Sequence, residues 1–200
     1  MFDTEDEEGN WNERVKLIRN ESIGSKSWDN SGINTWTDSY IKSFLNEEYV
    51  IDVNSAKIID SIKYYIGGAE SFQDGESIYN YGRGSQVRGD NINWTGKIGL
   101  MYPSDILFTY ALGVNDDCYN NQNSCSTSYF GWLNYSNGRR WLISPRLPFI
   151  NYVFLGIETG RVGYYETSKD YHIFPTLYLK PNVKIKSGDG TIDNPYEFEL

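Results

Sequence analysis

His172 is the only histidine in the chain, so any proton transfer or nucleophile activation that needs an imidazole must use it. It lies between Tyr171 and an apolar run starting at Ile173, where a solitary ring is ordinarily structural or surface-exposed. Serines are plentiful, yet no Gly-x-Ser-x-Gly elbow occurs, and a Ser-His-acid triad would have to share that same ring. Carboxylate chemistry is the remaining enzymatic option, with Asp116, Asp117, Glu158, Glu166 and Asp170 in the later half, where Tyr and Trp are dense enough to line a sugar site. Any acidic chain offers such pairs, and the expectation here is a protein that is not an enzyme.

Metal and thiol chemistry are thin. Two cysteines and one histidine cannot supply the three or four spaced ligands of a zinc site. Asp189 and Asp193 flank a tight Gly-containing turn, and Asp116 and Asp117 stand beside Asn120 and Asn121; both sets are weak calcium candidates without EF-hand spacing, so no cofactor is expected beyond calcium. Cys118 and Cys125 sit in a polar, loop-like stretch, where a bridge closing a small loop is favoured over two free thiols. Such a bridge would stabilise the fold by roughly 2 to 3 kcal/mol and persists only outside a reducing cytosol.

The residues best suited to recognition are flat and cationic side chains in the C-terminal half: Arg139, Arg140, Arg146, Tyr152, Tyr164, Tyr165 and Tyr171. Tyr, Trp and Arg dominate binding hot spots because they offer wide contact at low conformational entropy cost, with a polar tip. Trp132 and Trp141, nearby, are expected in the core.

The elements that must carry these residues follow from periodicity. Arg14 to Ile18 alternates like a half-buried strand, and Asn20 to Asn34 reads as a loop around Trp28. Thr37 or Asp38 can cap a helix with Tyr40, Ile41, Phe44 and Leu45 on its apolar side. A second helix is expected from Asn54 or Ser55 through Ile58, Ile59, Ile62, Tyr65 and Ile66, stopped at Gly67-Gly68. Gly67 to Asn93 reads as a long surface loop. Ile98 to Tyr102 reads as a buried strand ahead of a short third helix beginning at Ser104 or Asp105. Short strands fill the last third: 141–144, 152–157, 161–165, 173–180, 183–186 and 196–200. This pattern predicts an α+β domain, two to three helices on short antiparallel sheets with a strand-rich C-terminal half.

With 200 residues the chain suits one domain, here 11–200, after an acidic, flexible start over residues 1–10 that holds Asp3, Glu5, Asp6, Glu7 and Glu8. Its 39% hydrophobic and 16% aromatic content can build a core. A formal net charge of -9 argues against a nucleic-acid partner, and no apolar stretch is long enough to span a bilayer.

Several segments are similar, in order and spacing, to a group of surface proteins of gut Firmicutes. They are Arg14 to Gly24 with Trp28-Asp29, Asn34 to Thr37 with Leu45-Asn46, Trp94 to Asp105, the cysteine pair, Gly131-Trp132-Leu133, Trp141 to Pro145, and Leu177-Tyr178-Leu179-Lys180 with the ending Ser187 to Tyr196. Members of that group look like prepilins with an apolar N-terminal anchor helix. Their globular part is similar to C-type-lectin-like folds and the related formylglycine-generating-enzyme type. The resemblance implies an extracellular or cell-surface domain of C-type-lectin-like architecture. Relatives carry a further strand ahead of the point where this chain starts, which implies an open sheet edge through which copies can pair. They also carry Arg-Pro where this chain has Phe174-Pro175, so no role of that arginine transfers. The resulting expectation is a recognition or adhesion domain that binds a glycan or a surface protein through C-terminal loops. Its alternatives are a self-assembling pilin-like subunit and a carboxylate glycoside hydrolase.

Overall fold

The computed structural model describes residues 2–49, 56–72, 74–83, 92–107, 138–157 and 161–200. The acidic opening is not frayed. Strand β1 (Phe2–Glu5) pairs antiparallel with β2 (Trp11–Arg14), Phe2 opposite Arg14 and Glu5 opposite Trp11. The turn between them is fixed by the Asp6 carboxylate, which accepts the backbone N–H groups of Glu8 at 3.0 Å and Asn10 at 2.8 Å. Gly9 supplies the φ of +88° the turn requires.

The next strand, β3 (Lys16–Ile18), has the expected period but an unexpected side: Arg14 and the Lys16 side chain point inward, while Val15 is exposed. Each buried cation has an acid partner, Asp60 for Arg14 and Asp105 for Lys16, and that pairing is what permits the inversion. After β4 (Ser25–Ser27), Ser39 caps helix α1 (Tyr40–Ser43) by accepting the Lys42 N–H, and the helix continues with wider π turns over Phe44–Glu48. The capping residue is thus one place beyond Asp38 and two beyond Thr37, the two expected caps.

The second expected helix is a correction. Ile62 to Ile66 form strand β5, antiparallel to β6 (Ile92–Gly96). Ile62, Tyr64 and Ile66 are buried at intervals of two, and β-branched and aromatic residues suit a pleated surface better than a helix. Residues 51–55, with the expected caps Asn54 and Ser55, lie outside the described residues. The stretch read as one long loop instead contains helix α2 (Gly75–Gly82), opened by a capping box in which Asp74 and Ser77 satisfy each other's backbone N–H groups. After β7 (Ile98–Gly99) comes the short α3 (Pro103–Leu107), which starts at the proline rather than after it.

The later half gives β8 (Arg140–Pro145), β9 (Tyr152–Gly156), β10 (Val162–Glu166), β11 (Asp170–His172), β12 (Thr176–Tyr178), β13 (Lys184–Ser187) and β14 (Glu197–Glu199). A five-stranded sheet runs β10-β9-β8-β11-β4, antiparallel except between β8 and β11, and a three-stranded sheet runs β3-β12-β7. Three two-stranded ribbons, β1-β2, β5-β6 and β13-β14, complete the described architecture, which is α+β.

Strands β8 and β9 are covered on both faces. Trp141, Ile143, Val153 and Leu155 enter one apolar cluster with Trp28, Trp36, Leu45 and Tyr64, whereas Leu142 and Phe154 enter another with Phe72, Ile78, Met101 and Phe174. Trp141 is therefore core, as expected, and Trp132 lies outside the described residues. Gly99 lets the larger cluster close: a Cβ there would stand 2.6 Å from the Tyr64 ring.

Candidate functional site

A cleft of about 310 Å³ opens where the first hairpin meets the rest of the domain. Asp3, Thr4, Glu5 and Trp11 come from β1 and β2, Ile62, Lys63 and Tyr65 from β5, Tyr79 and Arg83 from α2 and its C-terminal end, Tyr102 from the position just ahead of α3, and Tyr178 from the end of β12. Because these segments are distant in the chain, the site exists only once the hairpin docks.

Polar contacts hold the docked hairpin. Arg14, almost wholly buried, donates from Nε to Asp60 at 2.6 Å and from Nη1 to the Thr4 carbonyl at 2.8 Å and Thr4 Oγ1 at 3.0 Å. Glu5 reaches β5, accepting from Lys63 Nζ at 2.5 Å and from the Tyr65 hydroxyl. Those hydrogen bonds keep the Glu5 carboxyl below its usual range, and the same bond to Glu5 pushes the Tyr65 hydroxyl up to about 12. The Trp11 ring lies nearly parallel to Tyr65, planes 14° apart and centroids separated by 6.3 Å.

Behind this wall lies a buried charge cluster. Lys16 Nζ pairs with Asp105 Oδ2, which also accepts the Tyr102 N–H at 2.7 Å. Arg83 Nη2 stands 4.0 Å from the other Asp105 oxygen. The Tyr102 ring serves both cations, with Arg83 at 4.3 Å and Lys16 at 5.0 Å from its centroid. Burial pulls the Lys16 ammonium down to about 8; Asp105 opposes that fall, and the Arg83 charge adds to it. Burial also drives the Tyr102 and Tyr178 hydroxyls well above their ordinary range.

The residues singled out from sequence do not converge on one site. Tyr164 and Tyr165 are neighbours on β10 and point to opposite faces. On one face Arg146 lies 3.6 Å from the Tyr164 ring centroid and 4.2 Å from that of Phe149, with Tyr152 alongside. On the other, Arg139 lies 5.7 Å from Tyr165, and Tyr165 meets Tyr171 edge-on. Arg140 belongs to neither group; it is fully buried with its guanidinium 4.1 Å from the Phe174 ring centroid, in the second apolar cluster. It cannot meet a surface ligand.

Asp189 closes its own turn by accepting the Thr191 N–H and hydroxyl at 3.0 and 2.7 Å, and Asp193 is exposed beside it. Among the described residues no three His, Cys, Asp or Glu side chains gather as a metal set. Asp116, Asp117, Cys118 and Cys125 lie outside the described residues. His172 Nδ1 is 3.1 Å from Ser25 Oγ across the β11-β4 pair. No helix among the described residues is long and apolar enough to cross a membrane.

Sequence reading missed the cleft because the buried cations behind it, Arg14 and Lys16, lie on the unexpected side of an alternating stretch and its lining residues are scattered along the chain. The usable signal was Trp11, a large aromatic set among acidic residues with no apolar neighbours to bury it. The chain matches no protein-family model, no curated protein and no solved structure.

Proposed function

We propose that this is a non-enzymatic recognition domain that captures a glycan in the hairpin cleft. The observation that carries the reading is Trp11, 60% exposed yet held parallel to Tyr65 on the cleft wall. A flat, pre-oriented aromatic platform suits the C–H face of a sugar ring, and Asp3, Lys63 and Arg83 offer polar groups for its hydroxyls. The volume, about 310 Å³, lies at the lower end of the range of about 300 to 1,000 Å³ usual for ligand pockets and suits one or two sugar units.

The C-type-lectin-like architecture and display at a bacterial surface belong to the same proposal. They are supported by the α+β arrangement of small antiparallel sheets and by the resemblance to prepilin-like surface proteins. The Arg146, Phe149 and Tyr164 stack gives such a domain a second contact surface, suited to a protein partner. Hydrolysis is the weaker reading, since Glu5 is hydrogen-bonded in its ionised form, the reverse of what a general acid needs. A glycan array probed with the wild type and with Trp11→Ala tests the proposal. Binding that the variant loses, with an unchanged circular dichroism spectrum, supports it; equal binding by both, or none by the wild type, rejects it.

One observation favours a pilin-like alternative. The β13-β14 ribbon is exposed along its length, with Ile185 opposite Phe198 and Ile192 95% exposed at its tip. An isolated two-stranded ribbon is marginal in water, so a neighbouring copy covering it would be stabilising.

A further inference from the structure

Two carboxylates, Asp3 and Glu5, and two cations, Lys63 and Arg83, are the charged residues lining the cleft, so its wall carries no net charge. Three of the four are engaged inside the protein. Glu5 pairs with Lys63 at 2.5 Å, and the Arg83 guanidinium donates to the Tyr178 hydroxyl and lies 4.0 Å from the Asp105 carboxylate. Asp3 lies on the exposed side of β1, where water solvates it. Behind the wall Lys16 and Asp105 pair, which keeps the balance at zero, and burial keeps the Tyr102 and Tyr178 hydroxyls protonated and uncharged. A charged ligand entering such a site would lose water without gaining a free counter-charge, or would have to break a pair already made. Aromatic surface is what the cleft has left to offer. Of its five aromatic residues, Tyr102 and Tyr178 are buried and Tyr65 is covered on one side by Trp11, whereas Trp11 is 60% and Tyr79 46% exposed. These two exposed rings come from different elements, β2 and α2, and each is held in place, Trp11 by Tyr65 and Tyr79 by the Arg83 guanidinium 5.2 Å from its centroid.

We propose that the cleft selects a neutral pyranose chain with equatorial linkages, and that Tyr79 is the second ring, with Trp11, on which its sugar units lie. This rests on the cleft being the glycan site and goes further in naming the class of sugar and a second binding residue. Equatorial substituents leave the C–H faces of a pyranose flat, so that many atoms touch an aromatic ring at once, whereas axial ones lift the sugar away. Recognition then depends on ring contact and hydroxyl hydrogen bonds, neither of which calls for a ligand charge.

The test uses one equatorial backbone in three charge states: cellotetraose, its C6-oxidised uronate form and its 2-amino counterpart, the glucosamine tetramer. Each is titrated by calorimetry into the wild type, Tyr79→Ala and Tyr79→Phe. The proposal expects cellotetraose to bind the wild type at least about tenfold tighter than either charged form. Its affinity should change less than about twofold between about 0.05 and 0.5 M salt. Tyr79→Ala should weaken it about tenfold, and Tyr79→Phe, which keeps the ring, should bind as the wild type does. The amino form is the stricter comparison, because a chain of net charge -9 attracts cations at long range. Since the three probes are compared on the unaltered protein, the charge preference does not depend on whether a variant folds. Equal or tighter binding of either charged form overturns the neutral selectivity. Binding to Tyr79→Ala that matches the wild type removes Tyr79 as the second ring. Failure of all three probes, with other glycans bound on the array, overturns the equatorial-chain assignment, and a blank array rejects the glycan reading beneath it.

Discussion

Trp11 lies stacked on Tyr65 where the β1-β2 hairpin meets the β5-β6 ribbon, ring planes within 14° of parallel. Neither ribbon contains the site alone; the contact between them creates it, and the same contact leaves the outer tryptophan surface free for a ligand. Aromatic pairs of this kind contribute about 0.5 to 1.5 kcal/mol beyond area burial. Trp11→Ala should therefore lower unfolding free energy by only about 1 kcal/mol in urea titration while abolishing glycan binding. A loss several times larger would mean the residue is structural.

Arg14 carries the mechanical attachment. Its guanidinium ties Thr4 in β1 to Asp60 beside β5, with Asp6 3.6 Å away. Arg14→Met leaves Asp60 and Asp6 without their cation, and we expect a loss of roughly 3 kcal/mol. Chemical denaturation measures it, and proteolysis at the first hairpin should become faster. Unchanged stability would show that the hairpin is held by other contacts.

Lys16 sets a pH dependence. Its folded pKa, about 8, lies below the ordinary 10.5, so the folded state releases this proton first. Below pH 8 both states carry it and the burial penalty is constant. Between pH 8 and 10 the unfolded state binds more protons, so stability should climb, by up to about 2 kcal/mol. Above pH 10 the trend reverses, because burial raises the hydroxyls of Tyr64, Tyr102 and Tyr178, which stay protonated in the folded state only. Thermal melts across pH 7 to 11 should show a maximum near pH 9 to 10, and Lys16→Met should lose the rising limb. A wild-type curve that is flat or falling from pH 8 would contradict the buried ammonium.

The β13-β14 ribbon distinguishes a monomeric binder from a self-assembling subunit. If copies pair through it, Ile185→Lys should reduce a concentration-dependent mass in light scattering. A constant monomer mass before and after the substitution would remove the pilin-like alternative.

The period of most strands could be read directly, and with it the α+β class. Which face was buried could not. In β3 the alternation of Lys16, Leu17 and Ile18 places Lys16 on the polar side, yet distant Asp105 draws it inward. In β5, Ile62, Tyr65 and Ile66 fit a helix as well as Ile62, Tyr64 and Ile66 fit a strand, and only pairing with β6 decides between them. The tyrosine pair on β10 looked like one surface feature, but successive strand residues point apart. Arg140 looked available because burial of a guanidinium against Phe174 leaves no local sequence mark. Docking of distant segments, rather than any motif, makes the cleft, and single-sequence patterns carry no record of it.

The central claim, that the hairpin cleft is the ligand site, is tested most directly by amide chemical-shift mapping with the glycan that binds tightest on the array. The account predicts the largest shifts at Glu5, Trp11, Lys63, Tyr65 and Arg83. Shifts confined to Arg146, Tyr152 and Tyr164, with the cleft silent, would contradict it.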